Sequence, residues 1–421
     1  MPNAPTSAGS AWQEADALWL NATLATMDPT VDSPYGSITG HALGIKGDRI
    51  LGYWPISSID LSRFQGDVHD AEGCWITPGL IDPHTHLVFA GSRANEWEMR
   101  LTGKSYVEIA QQGGGILNTV RTTRQATVEE LYELAASRLP SWFSEGVTCI
   151  EIKTGYGLTI ADELKMLRVV HKLRETFPID ISPTLLAAHT VPPEYKTRPD
   201  AYVELIVKEL LPQVKEGQLA EAVDVFCESI AFSLPQSQRI WHAAKEMGLG
   251  IKGHVEQLSN LQAAKTLATL GGWSADHLEY LEPADVPFLQ QSDMVATLLP
   301  GAYYFLREQQ KPPISALREA GVTLAVGTDF NPGTSPFASI QLAMNQACVL
   351  YGLTPEEALA GATRGAAQAL NRSNMMGIIA AGRYADLAVW SISHPAEIVC
   401  GVGWPILKQR IYHGRAYGIS T

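Results

Sequence analysis

The sequence is poor in cysteine, and the pattern of its cysteines excludes several kinds of site. Among 421 residues there are five, Cys74, Cys149, Cys227, Cys348 and Cys400, and no two of them form a C-x-x-C pair. An odd number without such a pair argues against a disulfide framework and against a cysteine-based zinc site. We therefore expect reduced thiols in a cytoplasmic protein.

Long apolar runs and an excess of basic residues are also missing. No stretch approaches the roughly 20 apolar residues that a membrane-spanning helix needs. The first basic residue is Lys46, so the charged start of a secretory signal is absent. Acidic residues outnumber basic ones by 44 to 31, which gives a net charge of −13. Binding to a phosphate backbone requires a basic face, so we expect neither a nucleic-acid nor a membrane partner.

Short β segments occupy both ends of the chain, and the middle alternates between apolar runs and helical patterns. Eight apolar runs can be counted: TPGLIDPHTH, GVTCIEIKTGY, ISPTLLAAHT, AVDVFCES, GIKGHVEQ, WSADHL, MVATLLPG and TLAVGTDF. Eight apolar strands that alternate with helices predict an α/β fold with a closed (β/α)8 barrel of the TIM type. The β-rich ends then predict a small β-sandwich domain built from both termini, with segments 1–78, 79–379 and 380–421.

Polar residues stand at the C-terminal ends of these runs, where barrel enzymes hold their active sites. His84 and His86 project to the same side of an extended segment, because side chains at i and i+2 share a face. His254 ends the fifth run, and Asp329 ends the eighth, which neighbours the first in a closed barrel. Three imidazoles and one carboxylate form a mixed N/O donor set that suits zinc or iron.

Each of these residues also has a plainer interpretation. The two histidines of the H-x-H pair are equally consistent with one hydrogen-bonded and one solvated ring at a strand end. Asp329 precedes Asn331-Pro332 and suits a helix N-cap, which is compatible with metal binding. His277 ends the sixth run, where it either stabilises a developing oxyanion or is a core histidine.

Longer motifs resemble the imidazolonepropionase family of the amidohydrolase superfamily. They are PGLIDPHTHLVFAGSRANEWEMR, QGGGILNTVRTTR, IEIKTGYGL, AAHTVPPEY, DVFCE, SADHLEY and GTDFNPGTSP, and they span about residues 75 to 390. The resemblance implies hydrolysis of the ring C–N amide bond of 4-imidazolone-5-propanoate by a metal-activated water, giving N-formimino-L-glutamate in histidine degradation. It also implies a small anionic substrate, one divalent or trivalent ion per chain, zinc or iron, and a cytoplasmic homodimer.

The resemblance also assigns residues. It implies the metal ligands His84, His86, His254 and Asp329. It implies substrate contacts at Arg93, Tyr106, Tyr156, His189 and Gln257, and a loop for the amino-acid end of substrate or product at Asn331, Gly333 and Thr334.

Two of these contacts have a physical rationale and an alternative. The planar guanidinium of Arg93 suits a carboxylate, although Glu96 and Glu98 favour a surface salt bridge equally well. Tyr156 lies between two glycines in TGYGL, a loop that lets a phenol move over a ligand, but a packed aromatic ring fits the same pattern.

The chain departs from some family members at Gln257, where they carry a carboxylate that has been assigned to water activation. An amide cannot accept a proton, so we predict Asp329 as the base, with His277 assisting. Glu256 is the alternative if it turns inward, because on a strand it shares a face with His254. Gln257 is then expected to hydrogen-bond the ring.

Three further possibilities complete the sequence-based picture. A second catalytic metal is not expected, because two-metal relatives use a carbamylated lysine at the end of the fourth strand, where this chain reads DVFCES. Lys153, in the second run, is interpreted as structural or as a contact. The rival functions are a nucleobase deaminase with the same metal set and a degenerate barrel that serves as a scaffold.

Overall fold

The computed structural model describes residues 11–104 and 114–418. Its strands, numbered in chain order, are β1 Ala17–Leu20, β2 Thr23–Ala25, β3 Ser37–Ile38, β4 His41–Lys46, β5 Arg49–Pro55, β6 Asp67–Asp70, β7 Trp75–Pro78, β8 Leu80–Asp82, β9 Val147–Lys153, β10 Asp180–Ala188, β11 Ala222–Cys227, β12 Gly250–Val255, β13 Ser274–His277, β14 Val295–Leu298, β15 Leu324–Val326, β16 Leu387–Trp390, β17 Leu407–Tyr412 and β18 Arg415–Tyr417.

Helices connect most of these strands. The α-helices are Ala94–Leu101, Ile116–Gln125, Val128–Ala136, Pro140–Phe143, Ile160–Thr176, Pro199–Leu205, Leu211–Glu216, Leu234–Glu246, Ala263–Thr269, Val286–Gln291, Pro300–Leu306, Ile314–Glu319, Ile340–Tyr351, Pro355–Gly361, Arg364–Ala369 and Ala396–Cys400. A π-helical turn, Ile206–Leu210, joins two of them. The short 3-10 turns are Ala11–Glu14, Pro34–Gly36, Ile56–Ser58, Leu61–Arg63, Pro193–Tyr195 and Pro283–Asp285.

Strands β8 to β15 form one parallel sheet in which each strand pairs with the next along the chain. Seven of these strands fall within predicted apolar runs, and β10 begins only one residue before its run, which confirms the (β/α)8 barrel. The barrel closes just beyond β8 and β15, where Thr85 forms a parallel bridge with Phe330. There the backbone N–H of Asp329 donates to the carbonyl of His84 over 3.0 Å. The first and eighth strand ends are therefore direct neighbours, as expected.

Two further sheets form the β-sandwich. One has the order β5-β4-β1-β6 and the other β18-β17-β16-β7-β2-β3, so strands from both ends of the chain share the second sheet. Strands β7 and β16 pair antiparallel across that junction. A separate apolar cluster packs in this region, with Trp19, Leu43, Ile76, Leu387 and Ile411 buried. The sandwich built from both termini is thus confirmed, while the segment boundaries stay a proposal.

Two expectations about the whole chain concern membranes and thiols. Within residues 11–104 and 114–418, no helix combines the length and apolar character that crossing a membrane requires. All five cysteines are free, and three of them, Cys74, Cys149 and Cys227, are buried.

Asp82 ties the first and eighth strands of the barrel together. Its carboxylate is fully buried and accepts hydrogen bonds from the Trp142 indole over 2.8 Å and from the Thr328 backbone N–H and hydroxyl over 3.0 and 2.7 Å. Burial raises the pKa of Asp82 to about 6, although these hydrogen bonds act in the opposite direction. The contact fixes the segment that carries His84 against the one that carries Asp329.

Replacement of Asp82 by alanine is expected to destabilise the fold. The substitution leaves buried donors of Trp142 and Thr328 unpaired, and each unpaired donor costs about 1–3 kcal/mol. Calorimetry should give a clearly lower thermal midpoint for Asp82→Ala than for Asp67→Ala, which removes an exposed strand carboxylate. Equal midpoints for the two variants would show that the Asp82 contacts contribute nothing to strand closure.

Candidate metal centre

Four side chains meet at the C-terminal mouth of the barrel. They offer one ligand atom each, all within 4.8 Å of one another, and all four are buried: His84, His86, His254 and Asp329. The Oδ1 atom of Asp329 lies 3.4 Å from Nε2 of His84 and 3.3 Å from Nε2 of His86. The Nε2 atoms of His86 and His254 are 3.4 Å apart. The structure therefore brings together the residues that the sequence distributes over three strand ends.

The donor atoms fit a metal ion. Two ligands that each bind one ion at about 2.0–2.1 Å in tetrahedral geometry are about 3.3–3.4 Å apart, which matches the distances in the cluster. The Nε2 atom of His84 is buried and has no hydrogen-bond partner within the described parts of the chain. Because nearly all buried polar atoms in proteins are paired, this free lone pair indicates a ligand at the centre of the cluster.

The protonation states also suit ligation. Burial lowers the pKa of His254 to about 3 against the opposing charge of Asp224, so the imidazole is neutral. Burial alone would raise the pKa of Asp329, but its contacts with His84 and His86 hold it well below its usual range. Neutral imidazoles and an ionised carboxylate are the forms that bind metal ions.

Carboxylates hold the far side of two of the histidine rings. The Oδ2 atom of Asp276 accepts a hydrogen bond from Nδ1 of His84 over 2.7 Å. Asp224 has one oxygen 3.1 Å from Nδ1 of His254, and its other oxygen accepts the His254 backbone N–H over 3.1 Å. A carboxylate at Nδ1 fixes the tautomer and leaves the Nε2 lone pair for a metal.

Lys153 joins these two carboxylates beneath the cluster. Its Nζ atom lies 2.6 Å from Asp224 and 3.4 Å from Asp276, and it also contacts Glu151 over 2.8 Å. Lys252 binds the other oxygen of Glu151 over 2.8 Å. All five side chains are fully buried, and buried charges of this kind persist only when they are paired. The three carboxylates raise the pKa of Lys153 despite its burial, so it stays charged.

Sequence reasoning missed most of this network. It interpreted Lys153 only as structural or as a contact, and it assigned nothing to Glu151, Asp224, Lys252 or Asp276. A signal was present, because Glu151 and Lys252 stand two positions before Lys153 and His254. Residues at i and i+2 of a strand share a face, so charged residues inside these apolar runs point into the barrel.

Two aromatic side chains, His189 and Tyr156, border one side of the cluster. The ring of His189 stacks on His86, with centroids 5.1 Å apart and planes at 18°. Its Nδ1 lies 3.2 Å from the Gly155 carbonyl, and burial, reinforced by the neighbouring His86 and His254 side chains, holds its pKa well below its usual value. The Tyr156 ring, which is 4% exposed, lies 5.4 Å from His189 and 6.0 Å from His86.

His277 lies on the other side of the cluster. Its ring centroid is 5.4 Å from that of His254, and its Nδ1 is 3.8 Å from a carboxylate oxygen of Glu279. Burial lowers the pKa of His277, but the carboxylates of Glu279, Asp329 and Asp276 outweigh it, so the pKa lies above the usual value. A raised pKa suits a side chain that donates a proton in a hydrogen bond.

Arg93 adjoins the loop that follows Asp329. Its Nε donates to Glu96 over 2.8 Å, so the salt bridge considered from the sequence does form. The guanidinium packs so closely against Gly333 that a Cβ atom there would collide with it. A cavity of about 470 Å³ opens beside the two, and Arg93 and Asn331 share its wall with Phe89, Trp97 and Phe330.

The side chain of Asn331 shapes its own loop. Its amide nitrogen donates to the Asp329 carbonyl and the Thr334 hydroxyl over 2.7 and 2.8 Å. Its oxygen accepts the backbone N–H groups of Gly333 and Thr334 over 2.8 and 2.7 Å. These groups are therefore occupied within the loop, and ligand contacts by Asn331, Gly333 and Thr334 stay predictions.

Glu256 lies just past the end of its strand. The strand alternation that would place its side chain on the same face as His254, and so make it an alternative base, therefore does not apply. Strand β12 ends at Val255, and the positive φ of 50° at Glu256 turns the chain. Its carboxylate accepts the backbone N–H groups of Ala263 and Ala264 over 2.7 and 2.8 Å, so it caps the helix that begins at Ala263.

Two other predicted substrate contacts remain. Gln257 is partly buried just beyond Glu256. Tyr106, which was predicted to contact substrate, lies outside the described residues.

Comparisons with known proteins concern both family and fold. The sequence profile of the amidohydrolase family matches residues 75–403. An imidazolonepropionase of Chromobacterium violaceum is 57% identical over 404 residues, covering 96% of this chain and 98% of the relative. One of Photorhabdus laumondii is 52% identical over 402 residues, covering 96% of both.

Among solved structures, an adenosine deaminase from Xanthomonas campestris with bound zinc superposes with a TM-score of 0.69 at 17% identity, covering 96% of this chain and 92% of that one. The atrazine chlorohydrolase TrzN of Arthrobacter aurescens, complexed with zinc, gives 0.68 at 15% identity, covering 95% and 94%. At such identities the likeness shows the fold alone.

The network beneath the cluster predicts that Lys153→Met weakens metal retention. Without the ammonium group, Asp224 and Asp276 lose their shared partner and hold the two imidazoles less firmly. Loss of such supporting contacts typically costs 10–100-fold in metal affinity. Competition with a chelator measures that affinity directly. Lys165→Met is the control, because the Lys165 ammonium group binds backbone carbonyls of Thr123, Arg124 and Ala126 away from the cluster. Equal metal affinity in both variants would contradict the supporting role.

Proposed function

The chain belongs to the imidazolonepropionases of the amidohydrolase family, and from this membership we infer that its barrel centre opens the ring of 4-imidazolone-5-propanoate. The reaction hydrolyses the ring C–N amide bond and gives N-formimino-L-glutamate, a step of histidine degradation. Near full-length similarity to imidazolonepropionases carries this conclusion, and the four-residue cluster supplies a site at which the reaction can occur.

We propose that His84, His86, His254 and Asp329 hold one metal ion. When bound, such an ion supplies Lewis acidity, which lowers the pKa of water from 15.7 to about 7 and polarises a carbonyl group. The zinc in two structural neighbours supports zinc here. The mixed imidazole and carboxylate donors suit iron as well, so both metals belong to the proposal.

Asp329 is the general base of this proposal. Its ionised carboxylate is one of the four ligand groups, where it collects the proton of the attacking water and passes it to the departing ring nitrogen. The water oxygen bonds to the ring carbonyl carbon, the C–N bond breaks, and the nitrogen leaves protonated. The helix-capping contacts of Glu256 favour Asp329 over Glu256. Gln257 then serves as a hydrogen-bonding contact to the ring.

His277 stabilises the oxyanion that develops on the ring carbonyl. The oxyanion needs a donor that is already in position when the charge develops. The carboxylate of Glu279 near Nδ1 favours the protonated ring. This arrangement orients the opposite edge of the imidazole toward the cluster, where His254 and His84 are its neighbours.

The substrate is anionic, and in a chain of net charge −13 it requires a local cation. Arg93 supplies this charge at the cavity wall and binds the propionate carboxylate. His189 is neutral, so a ring that donates Nδ1–H to Gly155 offers Nε2 as an acceptor for the imidazolone. Tyr156 covers the site on the same side as His189. The loop of Asn331, Gly333 and Thr334 binds the amino-acid end of the substrate or product. The hydrogen bonds of the Asn331 side chain to Gly333 and Thr334 hold this loop in one conformation before the ligand binds.

We further propose a cytoplasmic homodimer. Five free cysteines support a reducing compartment, and the homodimer follows from the family resemblance alone.

The rival function is deamination of a nucleobase by the same metal set. An ultraviolet assay with imidazolonepropionate, guanine and cytosine as separate substrates distinguishes the two. We expect turnover of imidazolonepropionate only. Turnover of either base in preference to imidazolonepropionate would replace this proposal with a deaminase.

His254→Ala is expected to lose metal and activity together, because one of the three imidazole ligands is removed. Elemental analysis and the hydrolysis assay on the same preparation give both readouts. His171→Ala is the matched control, since His171 lies on a peripheral helix and contacts the Leu219 carbonyl. A His254→Ala protein that keeps one ion per chain would refute the assigned ligand set.

Arg93→Ala is expected to raise KM about 10- to 100-fold with a smaller change in kcat, because hydrogen bonds to charged groups contribute about 1.5–3 kcal/mol. Steady-state kinetics with imidazolonepropionate tests this. Arg121→Ala, which removes an exposed guanidinium bonded to Asn118, serves as the control. An unchanged KM in Arg93→Ala would argue against carboxylate binding by Arg93.

A further inference from the structure

A second cluster of ligand-type side chains lies at the opposite end of the barrel from the metal centre. Asp180 is the first residue of β10, Asp386 immediately precedes β16, and His413 lies in the turn between β17 and β18. One ligand atom from each residue lies within 4.8 Å of the other two. The cluster therefore joins the base of the barrel to the β-sandwich through three segments that are distant in the sequence.

Each of these side chains is held in place by one contact and has a second polar atom that forms no hydrogen bond. We call these three atoms, Oδ2 of Asp180, Oδ2 of Asp386 and Nε2 of His413, the spare atoms. Oδ1 of Asp386 accepts the His413 backbone N–H over 2.7 Å. Oδ1 of Asp180 lies 3.3 Å from the guanidinium of Arg372. The ring of His413 is stacked between Tyr384 and Tyr412, with centroids 4.4 and 4.1 Å away. The cluster is thus positioned before any ligand arrives.

The spare atoms are buried and form no hydrogen bond, although two of them face each other as a long ion pair. Oδ2 of Asp180, Oδ2 of Asp386 and Nε2 of His413 have no hydrogen-bond partner within residues 11–104 and 114–418. Asp386 is only 4% exposed. Nε2 of His413 lies 3.8 Å from Oδ2 of Asp180, too far for a hydrogen bond but within the span of about 4.2 Å for two ligands of one ion. Three buried atoms without a hydrogen bond in one such cluster are unusual in a folded protein.

The carboxylates of the cluster attract a cation. Burial lowers the pKa of His413, but Asp180, Asp386 and Asp48 raise it above its usual value, so an ion bound here displaces the proton of that ring. Burial, reinforced by the charge of Asp180, raises the pKa of Asp386 to about 7 against the opposing effects of His413 and Arg410. Arg372 does not fill the place between the three atoms, because its guanidinium binds Oδ1 of Asp180 and, over 2.8 Å, Glu221. A cation between the spare atoms would neutralise the two buried carboxylates that face it.

Solvent reaches the cluster along one side. A cavity of about 390 Å³ is lined by Asp48, Tyr412, His413 and Arg415. His413 forms part of its wall, and Asp48 adds negative charge at the opening. The cavity therefore brings solvent to His413, the cluster residue that lies in its wall.

We propose that Asp180, Asp386 and His413 form a second divalent-cation site, distinct from the metal centre, which clamps the β-sandwich to the base of the barrel. Two carboxylate oxygens and one imidazole nitrogen suit zinc or a neighbouring first-row ion. The ion is structural, so it adds stability and takes no part in hydrolysis.

The stoichiometry of metal binding tests this proposal. Protein stripped with a chelator is titrated with ZnCl2, and bound zinc is counted after dialysis. The wild type is expected to bind two ions per chain, while His413→Ala and Asp386→Asn each bind one and keep hydrolase activity. His41→Ala, which removes a half-buried histidine whose ring contacts the Thr39 carbonyl away from both clusters, is the control and should bind two. Saturation of the wild type at one ion per chain would overturn the proposal, and so would two ions in His413→Ala.

A second measurement does not depend on whether the variants fold. After the metal centre of the wild type is saturated, further ZnCl2 should raise the thermal midpoint, because an ion that binds only the folded chain stabilises it by mass action. A midpoint that stays constant once one ion is bound would contradict a second site.

Discussion

The hydrogen bond between Asp276 and His84, 2.7 Å long and fully buried, is the contact on which the rest of the centre depends. It fixes the His84 ring so that the Nε2 lone pair faces Asp329. A carboxylate in that position must be neutralised, and Lys153 meets the requirement while also contacting Asp224 and Glu151. Glu151 in turn binds Lys252. The need to orient the His84 ring with a buried carboxylate thus accounts for the charged interior of the barrel.

This interior differs from the branched apolar layers that usually fill a (β/α)8 barrel. Buried ion pairs contribute little net stability, because desolvation offsets their attraction. Stability comes instead from the apolar contacts between the barrel and its helices and from closing contacts such as those of Asp82. The buried charges inside the barrel therefore orient the ligand side chains, and the apolar contacts outside the barrel stabilise the fold. Active-site polarity in this protein is therefore built into the strands as well as the loops.

The fold and the meeting of His84, His86, His254 and Asp329 at one mouth were predictable, because both follow from local patterns. Eight apolar runs ending in polar residues specify a barrel and its active mouth. The contacts that could not be predicted are those between side chains that are distant along the chain, or those that depend on the conformation of a loop. The pattern shows that Lys153 points inward, but not that it bridges Asp224 and Asp276. The strand alternation considered for Glu256 does not apply, because β12 ends at Val255 and the backbone turns at Glu256 with positive φ. The closure of the Asn331 side chain onto its own loop likewise depends on the loop conformation.

The most direct measurement is anomalous X-ray diffraction at the zinc and iron absorption edges from crystals of the metal-replete, active protein. We expect a peak at the barrel mouth bonded to Nε2 of His84, Nε2 of His86, Nε2 of His254 and a carboxylate oxygen of Asp329, at about 2.0–2.2 Å, with Asp276 still on Nδ1 of His84. Active crystals without a peak at that position, or with an ion bound there by other side chains, would contradict a single-ion centre formed by these four residues.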